Sequence, residues 1–508
     1  MIAVVDFGSQ YTHLITRRIR ELGVEAQIFS PKIDLTKVDN VEGIILSGGP
    51  SSVYEKGSPS LSSSVLKLGA PVLGICYGLH LLAKNLGGKV IAGKSREYGK
   101  EVVLVKNSSP LFKGLGSRQT VWLSHGDKVI KLPEDFRVIA NSSSCPISAF
   151  SNIEQKIYAV QFHPEVVHTE NGQTILKNFV FGICKVKKSW RVSDLTSSLV
   201  EKLKGEIRNG KVLIGVSGGV DSLVAADLLH KAIGSRLYAV FINHGLLRKN
   251  EATEVESLFK KKGFKHFLKV DAASLFLKKL KGVTDPEEKR KIIGHTFIKV
   301  FEDVAKSLEK KEKIRFFAQG TIYPDRIESA APSAQAAKIK SHHNLTLPEK
   351  LKFQVIEPLR DFYKDEVRKI GLQLGLPKEA LLRHPFPGPG LAVRILGEVT
   401  GDRLEILREA DAIYIEELRK NKLYDKIWQA FAALLPVKTV GVMGDARTYQ
   451  YIISLRAVTS VDGMTADWFK MPQDVLEKIS SRIVNEVKGV NRVVYDITQK
   501  PPATIEYE

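Results

Sequence analysis

The chain has 508 residues, so we expect two to four domains, each large enough to fold without disulfides. It has only three cysteines, and an odd number at these spacings fits neither a zinc site nor a secreted framework. No segment offers the ~18 to 20 apolar residues that span a bilayer, and no basic leader precedes the first apolar run, so we expect a cytoplasmic protein with no membrane partner. The net charge of +20 fits nucleic acid, a polyanionic small substrate or a lysine-rich solvated surface, but without a basic tail it does not single out DNA or RNA, and we expect no nucleic-acid partner.

Short β-rich runs alternate with helical stretches in the first part of the chain, which predicts a doubly wound α/β domain over 1–188. The predicted strands are 2–5, 43–46, 72–75 and 157–161, with a helix over 11–22. A lysine-rich linker follows near 185–192.

A second α/β pattern predicts another doubly wound domain over 189–382, with strands at 212–216, 237–242, 266–270 and 314–318. The proline- and glycine-rich passage 384–390 forbids regular structure and opens a third region, 383–508. Its helix, two strands, helix and strand predict a small α+β domain. The predicted fold is therefore two doubly wound α/β domains followed by a small α+β domain.

Cys76 lies at the junction between the predicted strand 72–75 and a helix. Such a turn exposes a side chain toward helix N-terminal amides, which favour a thiolate. A buried, inert cysteine is the commoner alternative. The segment Gln161 to Glu165 adds a base, His163, and a carboxylate, Glu165, that can fix its tautomer. The glycine turn at Gly48 and Gly49 could form an oxyanion hole, although alone it would be an ordinary turn.

These motifs together resemble the class I, or triad, glutamine amidotransferases. The resemblance implies that Cys76 attacks the glutamine carboxamide and releases ammonia, with His163 and Glu165 as partners. It also implies that the glutamine and its oxyanion are held by Gly48, Gly49, Tyr77, Ser124, His125 and Asp127. His80 stands where the family usually has glutamine.

A serine- and glycine-rich loop, 217–222, directly follows the strand 212–216 and precedes a helix. Small residues let the backbone approach phosphate, and the helix N-terminus adds positive potential. The loop residues are Ser217, Gly218, Gly219, Val220, Asp221 and Ser222. The loop lacks the Gly-Lys ending of the usual P-loop, so its chemistry need not be γ-phosphoryl transfer.

The loop resembles that of the ATP pyrophosphatase, or PP-loop, family, which splits ATP between the α and β phosphates to adenylate a substrate. All cysteines precede residue 185, which disfavours the sulfur-transferring members and leaves amine or amide transfer. Asp221 is expected to bind the Mg²⁺ that accompanies ATP.

Two further segments match the same family. Lys289 and Arg290 lie in a charged loop entering a helix, where a solvated helix start is the alternative to phosphate contacts from a lid. His342 and His343 are adjacent, but no partner ligands sit at metal spacing, so we expect lid or substrate contacts rather than zinc.

The third region resembles the GMP synthetase family in the passages 383–391, 445–449 and 495–508. The resemblance covers the whole chain and implies glutamine, ATP and xanthosine monophosphate (XMP) as substrates and a homodimer formed through this domain. It assigns XMP contacts to Arg383, Gln429, Lys500, Thr504 and Glu506. Tyr507 stands where the family has tryptophan.

The sequence therefore predicts ATP-dependent amination of XMP to GMP with ammonia from glutamine. Two alternatives stay open at this stage. One is amidation of another adenylated acceptor, which only the third region disfavours. The other is a basic nucleic-acid-binding or scaffold protein without turnover, which the intact triad and phosphate loop disfavour.

Overall fold

The computed structural model describes residues 1–9, 11–166, 168–323, 353–443, 446–460 and 465–508, without the side chains of 93–98, 125, 192–195 and 443. Its residue contacts form two compact units, Met1–Arg191 and Val192–Glu508. Across these described ranges, every helix is too short or too polar to traverse a lipid bilayer.

The first unit contains nine strands that form one sheet. They are β1 (Ile2–Val5), β2 (Ala26–Phe29), β3 (Gly43–Leu46), β4 (Val72–Ile75), β5 (Lys89–Val105), β6 (Arg118–Lys131), β7 (Arg137–Asn141), β8 (Ala149–Asn152) and β9 (Ile157–Val160). The order is β2-β1-β3-β4-β9-β8-β7-β5-β6. The first five strands in this order pair in parallel and the remainder pair antiparallel.

Four of the parallel strands, β1, β3, β4 and β9, are buried along their whole length, as expected for a sheet covered on both faces, whereas the edge strand β2 is partly exposed. The helices of this unit are α1 (Thr12–Glu21), α2 (Ser63–Lys67), α3 (Tyr77–Asn85) and α4 (Gly172–Lys177), the last continuing as a π-helix over Asn178–Ile183. α1 and α4 contribute to one core cluster, while α2 and α3 contribute to another. The predicted doubly wound domain is confirmed. Its sheet also contains an antiparallel part, which was not predicted.

The second unit begins with the helix α5 (Val192–Ile207) and a five-stranded parallel sheet. Its strands are β10 (Val212–Val216), β11 (Leu237–Asn243), β12 (His266–Asp271), β13 (Phe316–Ala318) and β14 (Gln354–Ile356). The order is β12-β11-β10-β13-β14. The chain leaves β10 toward β11 on one side and returns as β13 on the other, so the carboxyl end of β10 is a topological switch point, where ligands bind in open α/β sheets.

The helices that accompany this sheet are α6 (Val220–Ile233), α7 (Glu251–Lys261), α8 (Ala273–Leu280), α9 (Pro286–Glu312), α10 (Lys364–Gln373) and α11 (Lys378–Leu381). A second sheet follows, with β15 (Gln429–Met443), β16 (Ala446–Thr459), β17 (Asp467–Trp468) and β18 (Val490–Asp496), covered by α12 (Gly401–Lys420) and α13 (Gln473–Glu486). One hydrophobic core runs without interruption from Leu213 on β10 to Val490 on β18.

Candidate active site

Cys76 occupies the sharp turn between β4 and α3. Its φ of 53° and ψ of −104° are unusual for a residue with a side chain. The turn requires glycine on both sides, because a Cβ at Gly74 would lie 2.7 Å from the Gly78 carbonyl and one at Gly78 would lie 2.5 Å from the Leu46 carbonyl oxygen. The small residues let α3 approach β3 closely, and this packing holds the cysteine in its strained conformation.

His163 and Glu165 follow β9, the neighbour of β4, and both are almost fully buried. The Nδ1 atom of His163 lies 2.7 Å from a carboxylate oxygen of Glu165. Burial of the ring opposes protonation, but the charge of Glu165 and hydrogen bonds with Cys76 and Glu165 hold the pKa of His163 well above its usual range. The structure thus brings together the three residues that the sequence predicts as nucleophile, base and orienting carboxylate.

Above Cys76 is a cavity of about 680 Å³, into which most of the predicted glutamine contacts open. Its lining includes Gly49, Tyr77, Ser124 and Asp127, together with Cys76 and His163. Gly48 packs closely against His163 and Cys76, because a Cβ at this position would come within 3.1 Å of the His163 ring and 3.6 Å of the Cys76 Cβ. The side chain of His125 lies outside the described residues.

The start of α3 offers an amide for an oxyanion. The later amides of its first turn donate to the carbonyls of Ser47 and Cys76. Within the described part of the chain, no backbone carbonyl receives the amide of Tyr77. An unpaired N–H directly after a nucleophile is the donor arrangement that stabilises a tetrahedral oxyanion.

His80 lies one turn into α3, and its Nε2 atom is 2.9 Å from the side-chain oxygen of Gln161. The amide nitrogen of Gln161 is 3.9 Å from the Cys76 sulfur. His80 is buried, so this departure from the family pattern is packed against Gln161 at the edge of the cavity.

In the second unit, the predicted phosphate loop sits at the switch point of the parallel sheet. The Ser222 hydroxyl donates to the Gly219 carbonyl at 3.0 Å and accepts from the Ser217 amide at 3.2 Å, which closes the loop over the start of α6. Gly218 has a φ of +82°, a conformation that favours glycine. Gly320, after β13, abuts the same turn, since a Cβ there would lie 3.0 Å from the Ser222 amide.

Asp221 is the carboxylate of this loop. Its Oδ1 atom is buried and has no hydrogen-bond partner among the described residues, while its Oδ2 atom lies 3.7 Å from the Lys364 ammonium. Burial raises the pKa of the Asp221 carboxyl against the opposing charges of Lys364 and Arg368. A hard cation bound through one carboxylate and substrate phosphates fits this site. No cluster of three or more metal-ligating side chains occurs in the described residues.

The predicted lid residues Lys289 and Arg290 have hydrogen-bond partners in the C-terminal part of the chain. Lys289 is fully buried on α9, where its ammonium bonds the carbonyls of Ala392 and Ile395 and pairs with the Glu508 carboxylate. Arg290 donates to the Glu508 main-chain oxygen at 2.5 Å. Both side chains are thus engaged by the C-terminal segment, and a contact with ATP stays a prediction. His342 and His343 lie outside the described residues.

The predicted XMP contacts fall into two groups. The Gln429 amide donates to the Glu506 carboxylate at 2.6 Å, and Thr504 donates to the Glu506 main-chain oxygen at 2.5 Å. Lys500 pairs through its backbone with Ala466. Arg383 is separate and donates to Glu251 and Glu254 on α7.

Sequence reasoning missed the cations that hold and flank these residues. Arg394, fully buried, donates two hydrogen bonds to Glu506 at 3.0 and 2.9 Å and stacks 4.2 Å over the Phe431 ring. Arg248 lines a second cavity, of about 510 Å³, together with Arg383, and its Nε and Nη2 atoms are buried without a hydrogen bond among the described residues, Nε lying 3.8 Å from the Asp411 carboxylate. A single arginine outside a motif gives no indication in the sequence that it is buried beside a carboxylate or a cavity.

Three family descriptions match the chain in order. Residues 3–183 match "Glutamine amidotransferase class-I", residues 211–382 match "Queuosine biosynthesis protein QueC", and residues 416–507 match "GMP synthase C terminal domain".

Relatives match along the whole chain. The chain is 55% identical over 511 residues to "GMP synthase [glutamine-hydrolyzing]" of Thermotoga petrophila, covering 100% of both chains. It is 53% identical over 510 residues to the protein of the same name from Aquifex aeolicus, covering 100% of this chain and 99% of the relative. The solved structure of a putative GMP synthase component from Thermoplasma acidophilum is 42% identical, covering 36% of this chain and 93% of that chain, with a TM-score of 0.34.

Replacing Glu165 with glutamine should lower the pKa of His163, because the carboxylate charge that favours the imidazolium is lost while burial of the ring remains. The unmodified protein should hold His163 protonated to a higher pH than the variant. The pH profile of Cys76 alkylation measures this, since the thiolate is favoured by a neighbouring imidazolium. An unchanged profile would contradict the assignment of Glu165 as the orienting carboxylate.

Replacing Lys289 with methionine should destabilise the second unit by about 3 to 5 kcal/mol, because it leaves a buried carboxylate without its cation. Thermal unfolding measures the loss, with Lys204→Met as control, since Lys204 pairs with Glu201 on an exposed surface. Unchanged unfolding together with a higher KM for ATP would instead support a phosphate contact by Lys289.

Proposed function

The chain belongs to the family of glutamine-hydrolysing GMP synthases, and from this premise we propose how its residues divide the work. Residues 1–188 release ammonia from glutamine, residues 189–382 activate XMP with ATP, and residues 383–508 complete the XMP site. The products are GMP, AMP, pyrophosphate and glutamate. The observation that carries the proposal is that one chain holds both a buried Cys76–His163–Glu165 triad and a phosphate loop at a switch point.

In the first half-reaction, the Cys76 thiolate adds to the carboxamide carbon of glutamine. The amide of Tyr77 and the glycine turn at Gly48 and Gly49 stabilise the oxyanion that forms. The carbon–nitrogen bond then breaks as the His163 imidazolium gives its proton to the leaving ammonia. Water, deprotonated by His163, hydrolyses the thioester to glutamate and restores the thiol. The hydrogen bond to Glu165 keeps the imidazole in the required orientation throughout.

In the second half-reaction, the O2 atom of XMP attacks the α-phosphorus of ATP, and the bond to pyrophosphate breaks. The amides of the loop 217–222 and the N-terminus of α6 hold the phosphates. Mg²⁺ bound by Asp221 would neutralise charge on the leaving pyrophosphate. Ammonia then adds at C2 of the purine, AMP leaves, and loss of a proton gives GMP.

The acceptor nucleotide is proposed to bind through Arg383, Gln429, Lys500, Thr504 and Glu506. The Arg248 guanidinium supports an anionic ligand near Arg383, because two of its buried nitrogens make no hydrogen bond among the described residues. The Asp411 carboxylate lies 3.8 Å from Nε and balances part of its charge. A phosphate would satisfy both donors.

We place the reaction in the cytoplasm and propose a homodimer formed through the C-terminal region. Support for the dimer comes from the far half of the hairpin β15–β16, which exposes large apolar side chains. These are Val437, Val440, Val442 and Tyr449, each more than half exposed. A row of such residues on a paired strand is typical of a surface that associates.

Replacing Cys76 with alanine should reduce glutamine-dependent GMP synthesis by at least about 10³-fold, because no other group can form the thioester. Synthesis from ammonium should be retained, because the second half-reaction does not use the thiol. Steady-state assays with each nitrogen donor measure the difference. Loss of both activities with an unchanged unfolding profile would contradict the division of labour.

Replacing Asp221 with asparagine should slow ammonium-dependent AMP formation about 10²-fold and raise the Mg²⁺ concentration that it needs, because the cation loses a charged ligand. Glutamine hydrolysis should be retained, and Asp303→Asn, at an exposed site on α9, is the control. Formation of ADP and phosphate by the unmodified enzyme would refute the adenylation chemistry itself.

A further inference from the structure

Two elements that carry polar side chains line the cavity above Cys76. One is the loop 51–61, which follows the glycine turn, and the other is β6. The Tyr54 hydroxyl on the loop donates a hydrogen bond of 2.6 Å to Oδ1 of Asp127 on β6. Both side chains line the cavity that contains Cys76 and His163. Neither the triad nor the oxyanion donors use this pair.

The loop that carries Tyr54 is anchored to the helix that begins at the nucleophile. The Lys84 ammonium donates to the Val53 carbonyl, and the Tyr77 hydroxyl donates to the Pro59 carbonyl at 2.7 Å. Both Lys84 and Tyr77 belong to α3. The backbone of the loop is therefore held relative to α3 on either side of Tyr54, and the hydrogen bond to Asp127 orients the half-exposed phenol.

The chemistry of the substrate explains why such a pair is useful. When the carboxamide of glutamine reaches Cys76, its α-ammonium lies elsewhere in the same cavity, where a lining carboxylate can receive it. Asp127 is a nearly buried carboxylate there, at 7% exposure. A carboxylate has about four acceptor sites, so it can accept the phenol and an ammonium together.

The phenol is suited to hold this carboxylate. The hydrogen bond to Asp127 raises the pKa of Tyr54, so the hydroxyl stays protonated and donates. An ionised carboxylate can only accept, so the direction of the bond is fixed. The bond therefore restricts the rotamer of Asp127 without neutralising its charge.

We propose that Tyr54 is a positioning residue for glutamine, whose hydroxyl holds Asp127 ready to receive the α-ammonium. The inference rests on the proposed function, since it assumes that glutamine is the nitrogen donor. It adds a residue that neither the sequence motifs nor the triad assigns. Its effect is confined to binding of the amino-acid end and does not extend to the chemistry at the sulfur.

The test is Tyr54→Phe in the full-length enzyme. The KM for glutamine should rise about tenfold, the size expected when a hydrogen bond to a charged group is lost. The kcat with glutamine should change little, and ammonium-dependent synthesis should be unchanged. Tyr158→Phe, in the buried core of the same unit, is the matched control and should leave the KM unchanged.

A double-mutant cycle separates positioning from a general effect on the loop. Asp127→Asn should raise the KM more than Tyr54→Phe does, and the double variant should be no worse than Asp127→Asn alone, because Tyr54 acts through Asp127. Additive effects, or a fall in kcat with an unchanged KM, would overturn the inference. Thermal unfolding of each variant shows that the unit remains folded.

Failure of the proposed function and failure of the role of Tyr54 give different results. If the unmodified enzyme makes no GMP from ammonium, ATP and XMP, the proposed function fails. If it does, and Tyr54→Phe leaves the KM for glutamine unchanged, only the role of Tyr54 fails.

Discussion

Both reactive centres depend on one steric constraint, which is that a parallel strand must turn into a helix within a few residues. At Cys76 the turn leaves no room for Cβ atoms at Gly74 and Gly78. At the phosphate loop, Gly218 adopts a positive φ and Gly320 packs against the Ser222 amide. Each turn directs helix N-terminal amides toward the space where we propose that a reacting group binds. The two proposed reactions differ, but both sites are built on a tight turn from a parallel strand into a helix.

The sequence predicted most of the parallel strands, because such strands are buried on both faces and appear as short apolar runs. It missed the edge strands β2 and β14. The bounds of β1, β3, β4 and β10 agree with the predicted strands residue for residue. The hairpin β5–β6 was not predicted, since its long strands carry many charged residues and bulges and show no clean alternation. Cys76, His163 and Glu165 could be predicted to lie close together because each follows a recognisable strand.

Side-chain partners were harder to foresee, because partner choice depends on distant segments of the chain. Lys289 resembles a solvated lysine at a helix start, yet it is fully buried beside the C-terminal segment. Arg394 and Arg456 are likewise buried, and Arg456 donates to the carbonyls of Thr498 and Thr504. Part of the large positive charge therefore organises the interior of the second unit rather than coating a surface. Composition alone cannot divide the charge in this way.

The uninterrupted core of the second unit limits how this chain can be cut and recombined. Apolar side chains before and after residue 382 pack into a single interior, so a break there would expose surface that neither fragment could cover. A break between Arg191 and Val192 separates two units with their own cores. In genomes, we therefore expect gene fission or fusion in such a protein between Arg191 and Val192 and not near residue 382. The three predicted regions would then be inherited as two separable genes.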